Sequence, residues 1–132
     1  MTTYLFVGER PSATAFARGY TWADGRLAGK TLGDALDHLR IPESERGFIN
    51  LFGDRPDAEL GASAERSRRL ARIRRLGKRA TVVGMGGKVC RVLADEGISH
   101  VAIVHPAARG TIRRKDTYIA HVAEALGHPG LS

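Results

Sequence analysis

Three groups capable of chemistry stand where apolar runs of this chain break off. Glu9 and Arg10 follow Tyr4–Val7, Asn50 lies near the end of Gly47–Phe52, and His105 follows His100–Val104. A carboxylate such as Glu9 can orient water or support a neighbouring cation. A carboxamide both donates and accepts, so Asn50 can read the edge of a heterocycle. An imidazole can donate a hydrogen bond to an oxygen that gains negative charge as a bond breaks. Acid, amide and imidazole together suit cleavage of an N-glycosidic bond, in which the sugar becomes cationic and the base leaves as an anion. Arg10 and a loop dense in cations, Arg109 to Lys115, add positive charge beside them.

These groups meet only if the runs that carry them are parallel strands. The apolar stretches Tyr4–Val7, Gly47–Phe52, Ala80–Val83 and His100–Val104 have strand length. Between them lie helical patterns. Ala28–Leu39 places Leu32, Ala35, Leu36 and Leu39 on one face, and Ala58–Leu76 has a thin seam of Leu70, Ile73 and Leu76 ending at Gly77. Lys88–Glu96 follows a tight Gly84–Gly87 turn. A last helix, capped by Asp116, carries Ile119, Val122, Ala123 and Leu126. Ser12–Arg26 reads as a long loop with one helical turn, and a loop that long in a small chain is usually functional. Alternating strands and helices predict an α/β fold: one domain, 1–132, with a four-stranded parallel sheet in a three-layer α/β/α arrangement. All strand C-termini then share one edge, where such sheets bind ligands. Gly8 permits a turn or close approach there, and Pro11 stiffens the loop.

Composition narrows the function classes. The 132 residues carry a net charge of +7, which favours polyanions and nucleic acid first. A single cysteine, Cys90, excludes an internal disulfide framework and a multi-thiolate zinc or iron–sulfur site, and the five histidines lack metal-ligand spacing. No apolar run approaches the roughly 20 residues that span a bilayer, and the N-terminus lacks the pattern of a signal peptide. A cytoplasmic protein without metal, other cofactor or membrane partner is expected, acting as a monomer.

Five short motifs, in order, resemble the uracil-DNA glycosylase superfamily, and most of all its small bacterial iron–sulfur type. Gly8-Glu-Arg-Pro-Ser12 is similar to the family's first motif, Gly-Glu-Ala-Pro-Gly, and Ala28–Leu36 resembles the segment after it. Phe48-Ile-Asn-Leu51 resembles the strand with the base-reading Asn, and Val82–Gly86 the strand-turn before a helix. His105-Pro-Ala-Ala-Arg109 resembles the second motif, His-Pro-Ser. The resemblance spans roughly residues 4 to 126. It implies a uracil-DNA-glycosylase-like fold and excision of uracil, or a related damaged or modified base, flipped out of DNA. Trp22, or Tyr20 in its place, would stack on the base and Asn50 would read its edge. His105 would stabilise charge on the leaving base, and Glu9 would position water or support the sugar cation. Ile112 would be the apolar wedge in the minor groove, with Arg10, Arg109, Arg113, Arg114 and Lys115 on the DNA. The chain departs from the family pattern in three ways. It lacks the four cluster cysteines, Arg10 stands where other branches place a catalytic Asp, and Ala107 replaces the motif-two Ser.

Plainer readings stand beside these. Trp22 is also a candidate core residue, Asn50 a turn residue, and His105 before Pro106 a structural one. Glu9 can simply pair with Arg10, the arginines at 66–75 can be a solvated face, and Cys90 reads as inert core. Two other function classes compete: a non-catalytic binder of DNA or an abasic site on the same fold, and a nucleotide- or nucleoside-processing α/β enzyme. The cationic loop favours DNA, since a small nucleotide needs no extended basic surface.

Overall fold

A computed structural model describes residues 3–108, 110, 112 and 114–127. Four short strands, β1 (Tyr4–Gly8), β2 (Arg46–Asn50), β3 (Thr81–Met85) and β4 (Val101–Ile103), form one sheet. All pairings are parallel and the spatial order is β2-β1-β3-β4. The helices are α1 (Ala13–Ala17), α2 (Ala28–His38), α3 (Ala64–Leu76), α4 (Gly87–Asp95) and α5 (Lys115–Leu126), with single 3₁₀ turns at Trp22–Asp24 and Glu43–Glu45. The chain steps from β1 outward to β2, then crosses back over β1 to β3. This reversal opens a crevice at the C-terminal edge of the central strands.

Strand periodicity divides the core into two layers. Tyr4, Phe6, Val83, Met85 and Ile103 face one side of the sheet, where Leu32, Leu36, Tyr118, Ile119 and Val122 of α2 and α5 cover them. Leu5, Val7, Ile49 and Val82 face the other side, against Leu70 and Ile73 of α3 and Val89 and Leu93 of α4. Helices thus cover both faces of a parallel sheet. Phe6, Leu36, Ile73 and Leu93 are fully buried, each stabilising the fold by roughly 1.5–3 kcal/mol. Among the described residues no helix is long and apolar enough to cross a membrane.

Several sequence-predicted boundaries shift, each for a local reason. The third helix starts at Ala64 rather than Ala58, because the Ser63 hydroxyl accepts the Arg66 N–H and caps it there. Gly84 and Met85 belong to β3 rather than to a turn. A Cβ on Gly84 would lie 2.8 Å from the Cys90 sulfur and 3.1 Å from Leu93, so this glycine serves close strand–helix packing. β2 starts at Arg46 and ends at Asn50, and β4 shrinks to Val101–Ile103. Asp116 lies within the first turn of α5, and Arg114 takes the cap position. Gly77 does end α3, but in right-handed conformation. Its missing Cβ avoids Ile73 O and Val82, each 3.0 Å away. The expected loop at 12–26 holds α1, capped by Ser12, as well as the Trp22 turn.

Candidate active site at the C-terminal edge of the sheet

Gly8 and Asn50 are register partners at the ends of β1 and β2. Pairing continues past the strands: Leu51 N–H donates to Gly8 O at 2.7 Å and Phe52 N–H to Glu9 O at 3.1 Å. Backbone bonds therefore fix the Asn50 and Glu9 positions relative to each other.

The Asn50 side chain is clamped at both ends. The Trp22 indole Nε1–H donates to Asn50 Oδ1 at 2.9 Å, and Asn50 Nδ2 donates to Asp54 Oδ1 at 3.2 Å. An indole N–H only donates and a carboxylate only accepts, so the orientation of the amide follows from its partners. Asp54 in turn accepts from the Arg69 guanidinium through both oxygens, and Arg69 also donates to Asn50 O at 2.9 Å and to Glu65. Partial burial alone would raise the Asp54 carboxyl, but hydrogen bonds from Arg69 and Asn50 outweigh it and hold it below the usual carboxylate range. With one lone pair of Oδ1 and one N–H of Nδ2 committed, Asn50 keeps a second acceptor and a second donor on one amide. That pair is the complement of a ring N–H beside a carbonyl.

Trp22 reaches this amide because two glycines leave room. A Cβ on Gly8 would sit 3.0 Å from both Trp22 Nε1 and Asn50 Oδ1, and 3.1 Å from Trp22 Cζ2. Gly29, at the start of α2, lies against the Trp22 carbonyl, where a Cβ would come within 3.1 Å. The Trp22 turn is held by Asp24, whose carboxylate accepts from the Thr21 N–H at 2.6 Å and from its hydroxyl at 3.1 Å. The indole, half-buried, meets the His105 ring edge-on at 5.8 Å between centroids.

His105 is positioned from α5. Tyr118 OH donates to Val104 O at 2.8 Å, and the Val104 N–H donates to His121 Nε2 at 2.9 Å, so both polar groups of the preceding residue are anchored. Tyr118 is fully buried and its hydroxyl is pushed up by that burial. The Ala107 N–H donates to His105 Nδ1 at 3.0 Å, which leaves Nε2 as the protonated nitrogen of the neutral ring. Burial lowers the His105 pKa below its ordinary value, against a weaker opposing pull from the Glu9 charge. The site therefore holds a neutral imidazole with one N–H to donate. Gly86, at φ +95°, would place a Cβ 3.4 Å from that of His105, in a backbone conformation that favours glycine.

The structure thus brings Asn50, Trp22 and His105 together, with Glu9 near enough to His105 for its charge to be felt there. Tyr20 is half-buried and lines the adjoining cleft with Phe16, Trp22, Phe48, Asn50 and Asp54. At about 540 Å³ this cleft falls within the range of small-ligand sites. Arg10 is engaged inward: it donates to Ala58 O at 2.7 Å and stands 3.9 Å from Glu9. It braces the loop after β2 through that bond, while its side chain stays 32% exposed. Ile112 is half-buried against the α2/α5 core, so its side chain has partners within the fold. Arg114 and Lys115 are exposed at the start of α5, while Arg109 and Arg113 lie outside the described residues. Cys90 is partly buried, donates to Gly84 O at 3.4 Å, and is pushed up by burial, as an inert core thiol would be. Among the described residues no cluster of His, Cys, Asp or Glu could hold a metal ion.

Asp54, Arg69, Tyr118 and His121 were not singled out from sequence. Asp54 had one available signal, standing four residues after Asn50 in the Gly53-Asp-Arg-Pro56 loop. Arg69 was hidden among the other arginines of its helix. No family model matches the chain, and no curated protein does.

Proposed function

We propose that this protein is a DNA glycosylase, cleaving the N-glycosidic bond of uracil or a related damaged or modified base on a uracil-DNA-glycosylase-like fold. The observation that carries the reading is the pairing of an orientation-fixed amide with a neutral imidazole at one sheet edge. Asn50 is set between Trp22 and Asp54, and His105 is held with its proton on Nε2. A base with a ring N–H beside a carbonyl would meet the free donor and acceptor of Asn50. The His105 Nε2–H would stabilise the oxyanion that grows as the base departs, without first giving up a proton. Glu9 would hold water or offset the sugar cation. For a base to enter, the Trp22 indole serves as its platform or moves aside from Gly8, since it occupies the space directly over that glycine.

One observation favours the second reading, a non-catalytic binder of DNA or of an abasic site. The Arg10 guanidinium stands 3.9 Å from Glu9, and a cation there opposes formation of a sugar cation. Alkali-induced strand cleavage on labelled single- and double-stranded oligonucleotides containing one uracil separates the two. Cleavage by the native protein, lost in Asn50→Ala and His105→Ala, supports the glycosylase. Salt-sensitive binding without cleavage of uracil, hypoxanthine, xanthine or hydroxymethylated bases supports the binder.

A further inference from the structure

The 540 Å³ cleft does not stop at the site. It shares Phe48, Ile49 and Asp54 with a second hollow of about 270 Å³, lined further by Glu65, Arg68, Arg69 and Arg72 of α3. β2 is an edge strand. Phe48 packs toward the α2/α5 layer and Ile49 toward the α3/α4 layer. Trp22, which bounds the first hollow, packs on the α2/α5 layer, whereas α3, which bounds the second, covers the other face, so the two hollows meet around the rim of the sheet.

Their linings differ in a complementary way. The first is aromatic. Phe16 is 43% exposed, one of two large apolar side chains so exposed among the described residues, and the Arg55 guanidinium lies 5.3 Å over it. The Arg26 guanidinium lies 5.8 Å over the Tyr20 ring. Flat rings flanked by cations stack nucleobases of any sequence. The second hollow is cationic. Asp54 and Glu65 engage two of its three arginines: Arg69 binds both and Arg68 binds Glu65. Among the described residues Arg72 is in no ion pair. It is exposed one helical turn beyond Arg68, and Arg75 continues the same exposed stripe. The positive charge open to solvent thus falls at Arg68, whose surface pair with Glu65 leaves its side chain 69% exposed, and at Arg72. Arg10, the cation nearest the site in sequence, is held to Ala58 O and Glu9 and lines neither hollow.

We infer that the cleft and the α3 hollow form one track for a single nucleic-acid strand, its bases against Phe16 and Tyr20 and its phosphates on Arg68 and Arg72. A duplex does not suit a path that wraps a sheet edge, because it resists bending over lengths of roughly 150 base pairs. The inference rests on the proposed function only in taking nucleic acid as the ligand.

The test is fluorescence anisotropy of labelled oligothymidylate, about 12 nucleotides long, titrated at several salt concentrations. The probe holds no uracil, so failure of the cleavage assay leaves this test standing. Native protein should bind the strand more tightly than a duplex of the same length. Arg68→Gln/Arg72→Gln should weaken binding and flatten the slope of log K against log salt by about 1.4, at roughly 0.7 per phosphate contact. Phe16→Ala should weaken binding by roughly 5-fold or more with the slope unchanged. Lys78→Gln/Arg79→Gln removes the same charge just before β3, at the N-terminal end of the sheet and outside the lining of both hollows, and should leave the slope as it was. No binding, preference for the duplex, an unchanged slope in the α3 variant, or an equal flattening in the Lys78/Arg79 variant would each overturn the inference.

Discussion

Replacing Gly8 by alanine adds one methyl group at the most crowded point of the site. Gly8 is not among the positive-φ residues, so alanine meets no backbone penalty and the effect is one of space alone. The new Cβ would lie 3.0 Å from Trp22 Nε1 and Asn50 Oδ1 and 3.1 Å from Trp22 Cζ2, several tenths of an ångström inside ordinary contact. Either the indole or the amide must give, and a bond of 2.9 Å joins them. Overpacking of this kind costs about 1–3 kcal/mol, and the lost hydrogen bond about 1 kcal/mol more. Trp22 is the only tryptophan, so its emission reports the site directly. Urea unfolding of Gly8→Ala followed by that emission should show a destabilisation of about 2–4 kcal/mol, with the native emission shifted as the indole leaves its pocket. At about 4 °C per kcal/mol for a chain of this size, the melting temperature should fall by roughly 8–16 °C. Base excision should fall with it. Native emission and an unfolding midpoint equal to those of the unsubstituted protein would refute the placement of Trp22 over Gly8.

Three further outcomes are expected. Tyr118→Phe removes the hydroxyl that holds Val104 O and should cost about 1 kcal/mol in urea unfolding, while lowering excision more than stability because His105 is next in the chain. Burial depresses the His105 pKa in the folded state, so the unfolded chain takes up its proton first as pH falls. Its contribution is complete above about pH 6.5 and is lost as pH falls from there through the folded value. The drop in stability over that window should be smaller in His105→Asn than in the native protein, compared by urea midpoints at each pH. Leu27 adopts φ 56° and ψ −128°, a region favoured by glycine, and its side chain is 45% exposed. Leu27→Gly should therefore leave the melting temperature level or raise it, with up to about 1 kcal/mol of net stabilisation as strain relief exceeds the added freedom of the unfolded chain. A clear fall would show that the strain is not there.

The fold class was legible because its signals are periodic. Leu32, Ala35 and Leu36 on one side and Leu70 and Ile73 on the other mark helix faces, and four apolar runs of strand length alternate with them. Asn50 and His105 were legible as polar residues closing such runs. What escaped depends on contacts between distant residues. Gly84 looked like a turn because the close approach of Cys90 and Leu93 is made by a later helix. The bond that holds Arg10 could not be read locally, because its acceptor, Ala58 O, is 48 residues away. Tyr118 and His121 looked like part of an amphipathic helix, and their hold on Val104 exists only once α5 packs beside β4. Asp54 and Arg69 form a polar pair across a loop and a helix, and no local pattern announces such a pair.

The register that joins Gly8 to Asn50 also sets limits on how this sequence can change over time. Successive residues of a strand face opposite sides, so a single insertion or deletion within Arg46–Asn50 would carry the carboxamide to the other face and bring a hydrophobic neighbour into its place. β1 is paired on both sides and cannot slide to compensate. Lineages of this protein should thus vary in length in the connections beyond the strands, such as 59–62, and hold the interval from Tyr4 to Gly8 and from Arg46 to Asn50 at constant length. A descendant that altered either interval would lose the amide from the cleft in one step while keeping most of its core.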